Sequence, residues 1–174
     1  MFLPILAGLS LLAHAGPAAP KAPAQALNDA TIVAIFDAAN TYDIETGMLG
    51  ARKGASKEAR AVGASLERDH KAVRQQGRDL ATKLGVTPTP PALNPFGAQH
   101  AKALTDLKAL TGPAFDKAFL DHEIAYHQAV IDAVTKTLLP AIQNAELKAF
   151  VEKVAPAFQA HLDMCKAARA QLKL

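Results

Sequence analysis

Four stretches of this sequence repeat apolar residues at alternating steps of three and four, a spacing that puts those residues on one face of a helix. No stretch shows the sustained alternation of apolar and polar residues that marks a half-buried strand. The last of the four stretches is the most regular, and its face comprises Leu147, Val151, Val154, Phe158, His161, Cys165, Ala168 and Leu172. The pattern therefore predicts an all-α domain.

Capping residues, glycines and prolines predict where the helices begin and end. The first helix is expected from Asn28 or Asp29 to about Gly54, and the second from Ser56 to Gly85. Four prolines in residues 86–95 exclude a helix there, and a short helix with a leucine stripe follows. The third long helix begins at residues 112–113 and the fourth after residue 144. Because short connections make neighbouring helices antiparallel, we expect an antiparallel four-helix bundle with a short extra helix between helices 2 and 3.

The N-terminal residues are expected to direct export. Residues 1–12 form an apolar run too short to span a bilayer, and the small residues Ala13 and Ala15 fit a cleavage site, so residues 1–15 are predicted to be a signal peptide. Residues 16–27 are a spacer rich in proline and alanine, and residues 28–174 are the folded domain. We therefore expect a periplasmic or cell-envelope protein with no transmembrane helix after cleavage of the leader; an uncleaved leader that stays as an anchor is the alternative, because no lysine or arginine precedes the apolar run.

The composition excludes several functional classes. The net charge of +3 is spread over helix faces without an arginine-rich stripe, so no nucleic-acid partner is expected, and a protein partner stays unknown at this stage. It also lacks a nucleophile elbow, a phosphate-binding glycine loop and zinc-finger spacing. Its one cysteine, Cys165, has no partner in the chain for a disulfide. It is expected to be a small buried apolar residue, and the alternatives are a disulfide to another molecule or metal ligation.

Each predicted helix places an acid or a histidine among its apolar residues. Burying such a group costs about 1–3 kcal/mol unless a partner or a metal compensates, and five of them on converging helices favour a shared site. Imidazole and carboxylate together suit iron, zinc, manganese or copper, which the pattern does not distinguish. The predicted metal ligands are Glu45, His70, Glu123, His127 and His161.

Every one of these residues also has a structural interpretation. A core histidine often only hydrogen-bonds to an acid or a carbonyl, and Glu123 or Glu67 can be a salt-bridged boundary residue. His100 and His122 are expected at helix edges, and the tyrosines are expected to be packing residues. His161, Met164 and Cys165 lie within one helical turn and could be ligands of a copper ion. The alternative is that they only form part of an ordinary apolar helix face.

Several motifs resemble the exported ferritin-like proteins that carry domain of unknown function 4142. They are Arg68-Asp69-His70-Lys71, the Gly-x-x-Phe-Asp motif of residues 112–116, and Pro-Ala-Phe-Gln-Ala-His-Leu in residues 156–162. The resemblance implies a ferritin-like four-helix bundle without an established activity. It also matches Glu45, His70, His127 and His161 to recurrent polar positions of that family.

The sequence departs from a ferritin-like di-iron centre, which uses two Glu-x-x-His motifs. Only Glu67-x-x-His70 fits, because Phe158 stands three residues before His161. We therefore expect an exported bundle that binds a transition metal for storage, sensing or stress protection, and whether it is an enzyme stays open. The alternatives are a non-enzymatic envelope module with a buried hydrogen-bond network and a metalloenzyme that reacts with oxygen or peroxide.

Overall fold

The computed structural model describes residues 27–92 and 95–174 and contains helices but no strand in these ranges, which confirms the all-α class. The predictions of a signal peptide and of most of the spacer fall on residues 1–26, outside the described residues. Among the described helices, none combines the length and the apolar character that a membrane-spanning segment requires. The helices are α1 (Asp29–Lys53), α2 (Lys57–Lys83), α3 (Pro95–Ala109), α4 (Gly112–Ala133), the three-residue α5 (Leu139–Ala141) and α6 (Ala145–Gln171).

Side-chain caps explain where three of the long helices begin. Asn28 accepts a hydrogen bond from the main-chain N–H of Thr31 at 2.9 Å, and Ser56 accepts one from Ala59 at 3.0 Å. Asn144 accepts from the first turn of α6 in the same way. These bonds satisfy N–H groups that have no partner within the helix. The predicted starts of these helices are therefore confirmed.

Two prolines have different effects on the helices that contain them. Before Pro140 the chain forms a π-helical turn, Val134–Leu138. A proline cannot donate the usual hydrogen bond to the fourth residue before it, and a wider turn accommodates this loss. Pro156 lies inside α6, which remains one continuous helix around it.

The helices pack in two sequential pairs, α1 with α2 and α4 with α6, and α2 also packs on α6. Acidic side chains connect the ends of the two pairs. The Asp116 carboxylate accepts from the main-chain N–H groups of Ala55 and Ser56, both at 2.8 Å. Asp29 accepts from Gln143 and Asn144 at 2.9 Å. Each turn between paired helices is thus held by a carboxylate of the other pair.

Two apolar clusters fill the interior, one toward each end. We call the first the packed end; its buried members include Val62, Leu66, Phe115, Phe119, Leu120 and Cys165. We call the second the cavity end; its buried members include Ile32, Phe36, Val134, Leu147, Val151 and Phe158. Polar side chains occupy the layer between the two clusters.

The face that α1 buries differs from the expected one. Helix α1 carries apolar residues on several sides. The spacing of Ile35, Tyr42 and Leu49 in the sequence predicts that their face is the buried one, but a different face is buried in the structure. The buried side comprises Phe36, Asn40, Asp43, Gly47 and Gly50, also at steps of four and three. Its glycines let α1 approach α2: a Cβ atom on Gly47 would lie 2.9 Å from the carbonyl oxygen of Gly63. The close approach of α1 to α2 therefore requires that α1 turn its small residues toward α2, and this decides which face of α1 is buried.

Candidate metal centre

A cluster of polar side chains lies in the layer between the packed end and the cavity end. α1 contributes Asp43, α2 contributes His70, α4 contributes Glu123 and His127, and α6 contributes His161. Their exposed fractions run from 0% for Glu123 and His127 to 7% for His161, so all five are buried. Groups of this kind need partners in the interior, because burial removes their contacts with water.

One nitrogen of each imidazole is hydrogen-bonded to an acceptor. His70 Nδ1 donates to Asn40 Oδ1 at 2.9 Å, and the amide of Asn40 is oriented by its own bond to the carbonyl of Phe36. His127 Nδ1 donates to the main-chain carbonyl of Glu123 at 2.9 Å. His161 Nε2 donates to Asp69 Oδ2 at 3.2 Å. Because each partner is an acceptor, the bonded nitrogen of each ring carries a proton.

The other nitrogen of each ring has no hydrogen-bond partner. These atoms are His70 Nε2, His127 Nε2 and His161 Nδ1, and all three are buried. The three histidines offer one ligand atom each within 4.8 Å of one another. Three nitrogens on one tetrahedral ion with bonds of about 2.1 Å lie about 3.4 Å from one another, so shifts of up to about 0.7 Å would bring the three nitrogens onto one ion.

Two carboxyl groups lie beside the three rings. Asp43, Glu123 and His127 form a second group with ligand atoms within 4.8 Å. Asp43 Oδ1 lies 3.8 Å from His127 Nε2, and Asp43 Oδ2 lies 3.5 Å from His70 Nδ1. Asp43 Oδ1 and both carboxyl oxygens of Glu123 are buried, and the two carboxyl groups interact with each other. The second group therefore adds oxygen ligands next to the nitrogen ligands of the first.

The burial of the cluster changes its protonation. Burial, reinforced by the nearby charge of Glu123, raises the pKa of Asp43 well above its usual value. Burial also raises the pKa of Glu123 to about 7. Burial lowers the pKa of His70 to about 2, with a smaller contribution from the charges of His127 and His161, and it lowers the pKa of His127 to about 4. Neutral rings with free lone pairs are the form in which imidazole binds metal.

Asp69 connects His161 to the protein surface. Burial alone would raise the pKa of this carboxyl, but hydrogen bonds from Arg68 and His161 outweigh it, so the pKa is lowered. Asp69 is therefore an ionised acceptor that orients the ring of His161 and leaves Nδ1 directed to the cluster. A carboxylate behind a histidine is a common support of metal ligands.

The structure brings together four of the five residues that the sequence predicted as ligands: His70, Glu123, His127 and His161. Their role as ligands stays a prediction. The expected position of Glu45 is wrong, because its half-exposed side chain lies on another face of α1 and bonds His100 Nε2 at 2.6 Å. Asp43, two residues earlier, occupies the buried position and was missed. Its signal was the series Phe36, Asn40, Asp43, Gly47 and Gly50.

The other candidates of the sequence lie outside this cluster. Glu67 pairs with Lys71 at 2.6 Å near the surface, so the Glu-x-x-His spacing brings no second carboxylate to the site. His122 stacks on Tyr126 with ring centroids 5.9 Å apart. Cys165 is buried in the packed end, where burial raises the pKa of its thiol, and it belongs to neither group of candidate ligands.

The arrangement offers up to three nitrogen and two carboxylate ligands in a buried layer. Nitrogen and oxygen ligands in this proportion suit iron, zinc, manganese or copper, whereas magnesium and calcium prefer sites built from oxygen alone. The candidate ligands come from α1, α2, α4 and α6, so a bound ion would connect both pairs of helices.

Comparisons with known proteins agree with the helical architecture and name no activity. A family model described as a domain of unknown function (DUF4142) matches residues 14–168. No curated protein matches the chain. The crystal structure of a DUF305 fragment from Deinococcus radiodurans is similar, with a TM-score of 0.71 and 12% identity, covering 82% of this chain and 95% of that one. At this identity the likeness shows a shared fold alone.

Proposed function

The chain belongs to the family defined by the domain of unknown function DUF4142, and because that description names no activity, we propose a function from the geometry of the buried polar layer. We propose that the protein is an exported, ferritin-like antiparallel four-helix bundle whose core binds a transition-metal ion. Storage, sensing or stress protection would fit such a site, and catalysis is not required by it.

The observation that carries this proposal is the set of unpartnered nitrogens in one buried place: His70 Nε2, His127 Nε2 and His161 Nδ1. A buried acceptor without a partner costs about 1–3 kcal/mol, and three such acceptors would be an expensive feature of a purely structural core. A metal ion would satisfy all three at once. The hydrogen bonds on the opposite nitrogens would fix the ring orientations before the ion arrives.

The two carboxyl groups support a divalent ion at this position. When Asp43 and Glu123 are ionised, their two negative charges would balance the two positive charges of the ion, so little net charge would be buried. Since burial raises the pKa of both groups, metal binding would displace protons from them. We therefore expect the affinity for metal to increase with pH.

A single ion fits the ligand set better than two. His127 belongs to both groups of candidate ligands, and only one of its ring nitrogens lacks a partner. One imidazole nitrogen binds one ion, so a second ion would retain only Asp43 and Glu123. We propose one ion held by the three histidines, with the two carboxylates completing its coordination.

The test compares metal content and metal-dependent stability. The mature protein is exported, purified without chelators and analysed for iron, zinc, manganese and copper. Thermal unfolding is then recorded in chelator and with each metal in turn. A metal that binds only the native state should stabilise the wild type by about 2.7 kcal/mol at a hundredfold excess over its dissociation constant. His161→Leu, which suits an apolar position, should lose most of this increment.

His122→Leu is the matched control, because His122 is a histidine of α4 outside both groups of candidate ligands. It should keep the metal increment of the wild type. Equal metal responses of His161→Leu and the wild type would remove His161 from the site. No response to any of the four metals would contradict metal binding and favour the alternative, an envelope module whose polar core is a hydrogen-bond network.

A further inference from the structure

A cavity of about 1130 Å³ occupies the cavity end of the domain. Its walls are mainly apolar and include Ile32, Phe36, Val130, Val134 and Phe150. Small-molecule sites in proteins typically have volumes of about 300–1,000 Å³ and apolar walls with a few polar groups. The cavity is therefore large enough for an organic molecule with a long apolar chain.

The edge of the cavity is apolar as well. Pro88, Pro90 and Phe96 contribute to its lining, and Phe96 is 54% exposed, the large apolar side chain that stands out on the described surface. Exposed aromatic side chains at the edge of an apolar cavity are positioned to cover a bound hydrocarbon. Pro88, Pro90 and Phe96 thus form one border of the cavity.

Two arginines of α2 line the cavity, and their pairing differs. Arg78 is bound to the carboxylate of Asp37, with Nη2 at 2.9 Å from Oδ2. Arg74 donates to the hydroxyl of Thr41 at 3.1 Å, and no ion pair joins it to a carboxylate in residues 27–92 and 95–174. The lining therefore contains one guanidinium whose charge is balanced and one available for an anionic ligand.

We propose that this cavity binds a long-chain monocarboxylate, with the alkyl chain among the apolar walls and the carboxylate on Arg74. Charge complementarity selects an anionic head over a cationic one, and a guanidinium matches the geometry of a carboxylate. The volume and apolar character of the cavity select an alkyl chain. This binding goes beyond the metal site and does not require it.

The test is calorimetric titration of the full mature protein, in chelator, with octanoate, decanoate and dodecanoate below their micelle concentrations. Each added methylene that enters the cavity should strengthen binding about fourfold, as burial of one CH₂ group from water predicts. Dodecanoate should bind with one-to-one stoichiometry. Dodecyltrimethylammonium, with the same chain and a positive head, should bind at least about tenfold more weakly.

Variants locate the head and the chain. Arg74→Gln should weaken dodecanoate binding about tenfold or more, because a charged hydrogen bond is lost, while Lys71→Gln, at an exposed lysine of α2 outside the cavity, should not. Ala133→Phe adds a ring inside the cavity and should also weaken binding. Ala160→Phe makes the same change at an exposed position of α6 outside the lining and should not.

Three results would overturn the proposal. The first is no binding of dodecanoate, and the second is equal affinity for dodecanoate and the ammonium. The third is binding that neither Arg74→Gln nor Ala133→Phe weakens. All titrations are made in chelator, so these failures are distinct from failure of the metal proposal, which appears as absent metal content and unchanged metal-dependent stability.

Discussion

The packed end and the cavity end of the same helices are built differently. At the packed end, α1 and α2 approach so closely that a Cβ on Gly63 would lie 2.6 Å from the carbonyl oxygen of Gly47. At the cavity end, a Cβ on Gly77 would lie 3.5 Å from the ring of Phe36 and 3.6 Å from that of Phe150, which are ordinary contacts. The difference shows that one end fixes the separation of the helices while the other leaves room between them.

The polar layer lies where these two kinds of packing meet. A metal centre needs ligands held in place, and the closely packed helices next to it restrict how far the ligand-bearing residues can move. A binding site for an organic molecule needs space, and the cavity supplies it. Asp43 and Asn40 belong to the polar layer and also line the cavity, so the two regions share a border.

The largest expected difference between the two ends comes from removing one phenylalanine at each. Phe119→Ala should lower the free energy of unfolding by about 3–5 kcal/mol, because its fully buried ring leaves a new void. Phe36→Ala should cost only about 1.5–3 kcal/mol, since Phe36 already borders the cavity and its removal enlarges existing space. Urea unfolding in chelator measures both values. Equal losses would show that the ends are packed alike.

Glycine substitutions compare the two ends with smaller effects. Gly63→Ala should destabilise by about 1–3 kcal/mol, because the added methyl group meets main-chain atoms of α1 that cannot rotate away. Gly77→Ala has room for the methyl group and should stabilise α2 by up to about 1 kcal/mol through its higher helix propensity. The same unfolding measurement decides the signs. A stabilising Gly63→Ala would contradict the close approach of α1 and α2.

Sequence reasoning predicted the helices well because their signals are local. The caps Asn28, Ser56 and Asn144 and the apolar spacing of the last helix depend on neighbouring residues. All but Leu172 of the eight residues predicted for the inner face of that helix are buried. The positions of His127 and His161 in the polar layer follow from the same spacing.

Glu45 and Asp43 show where this reasoning ends. Helix α1 is apolar on several sides, so its spacing does not select a face, and these two residues, two positions apart, point in different directions. The choice depends on contact with Gly63 of α2, which is distant in sequence. The cavity could not be predicted either, because its volume depends on how side chains from several helices pack together.

The pH dependence of stability tests whether water is excluded from the polar layer as it is from the packed end, even though the polar layer borders the cavity. The pKa of Glu123 is raised from 4.5 to about 7 by burial, so between these values the folded state holds a proton that the unfolded state has released. Stability contributed by this group is therefore lost as pH rises. His127 acts in the opposite direction, because its pKa is lowered to about 4 and the unfolded state binds its proton up to about pH 6.5.

The contribution of His127 is common to the wild type and to a variant of Glu123, so comparing the two isolates Glu123 and gives the smallest predicted effect. From pH 6.5 to 7.5, in chelator, the wild type should lose more unfolding free energy than Glu123→Gln, by up to about 1 kcal/mol, because the variant has no proton to release. Glu146→Gln, at an exposed glutamate of α6, should follow the wild type. If Glu123→Gln shows the same pH dependence as the wild type, Glu123 titrates near its usual value in both states. The cavity would then hydrate the polar layer, and this layer would belong with the cavity end rather than the packed end.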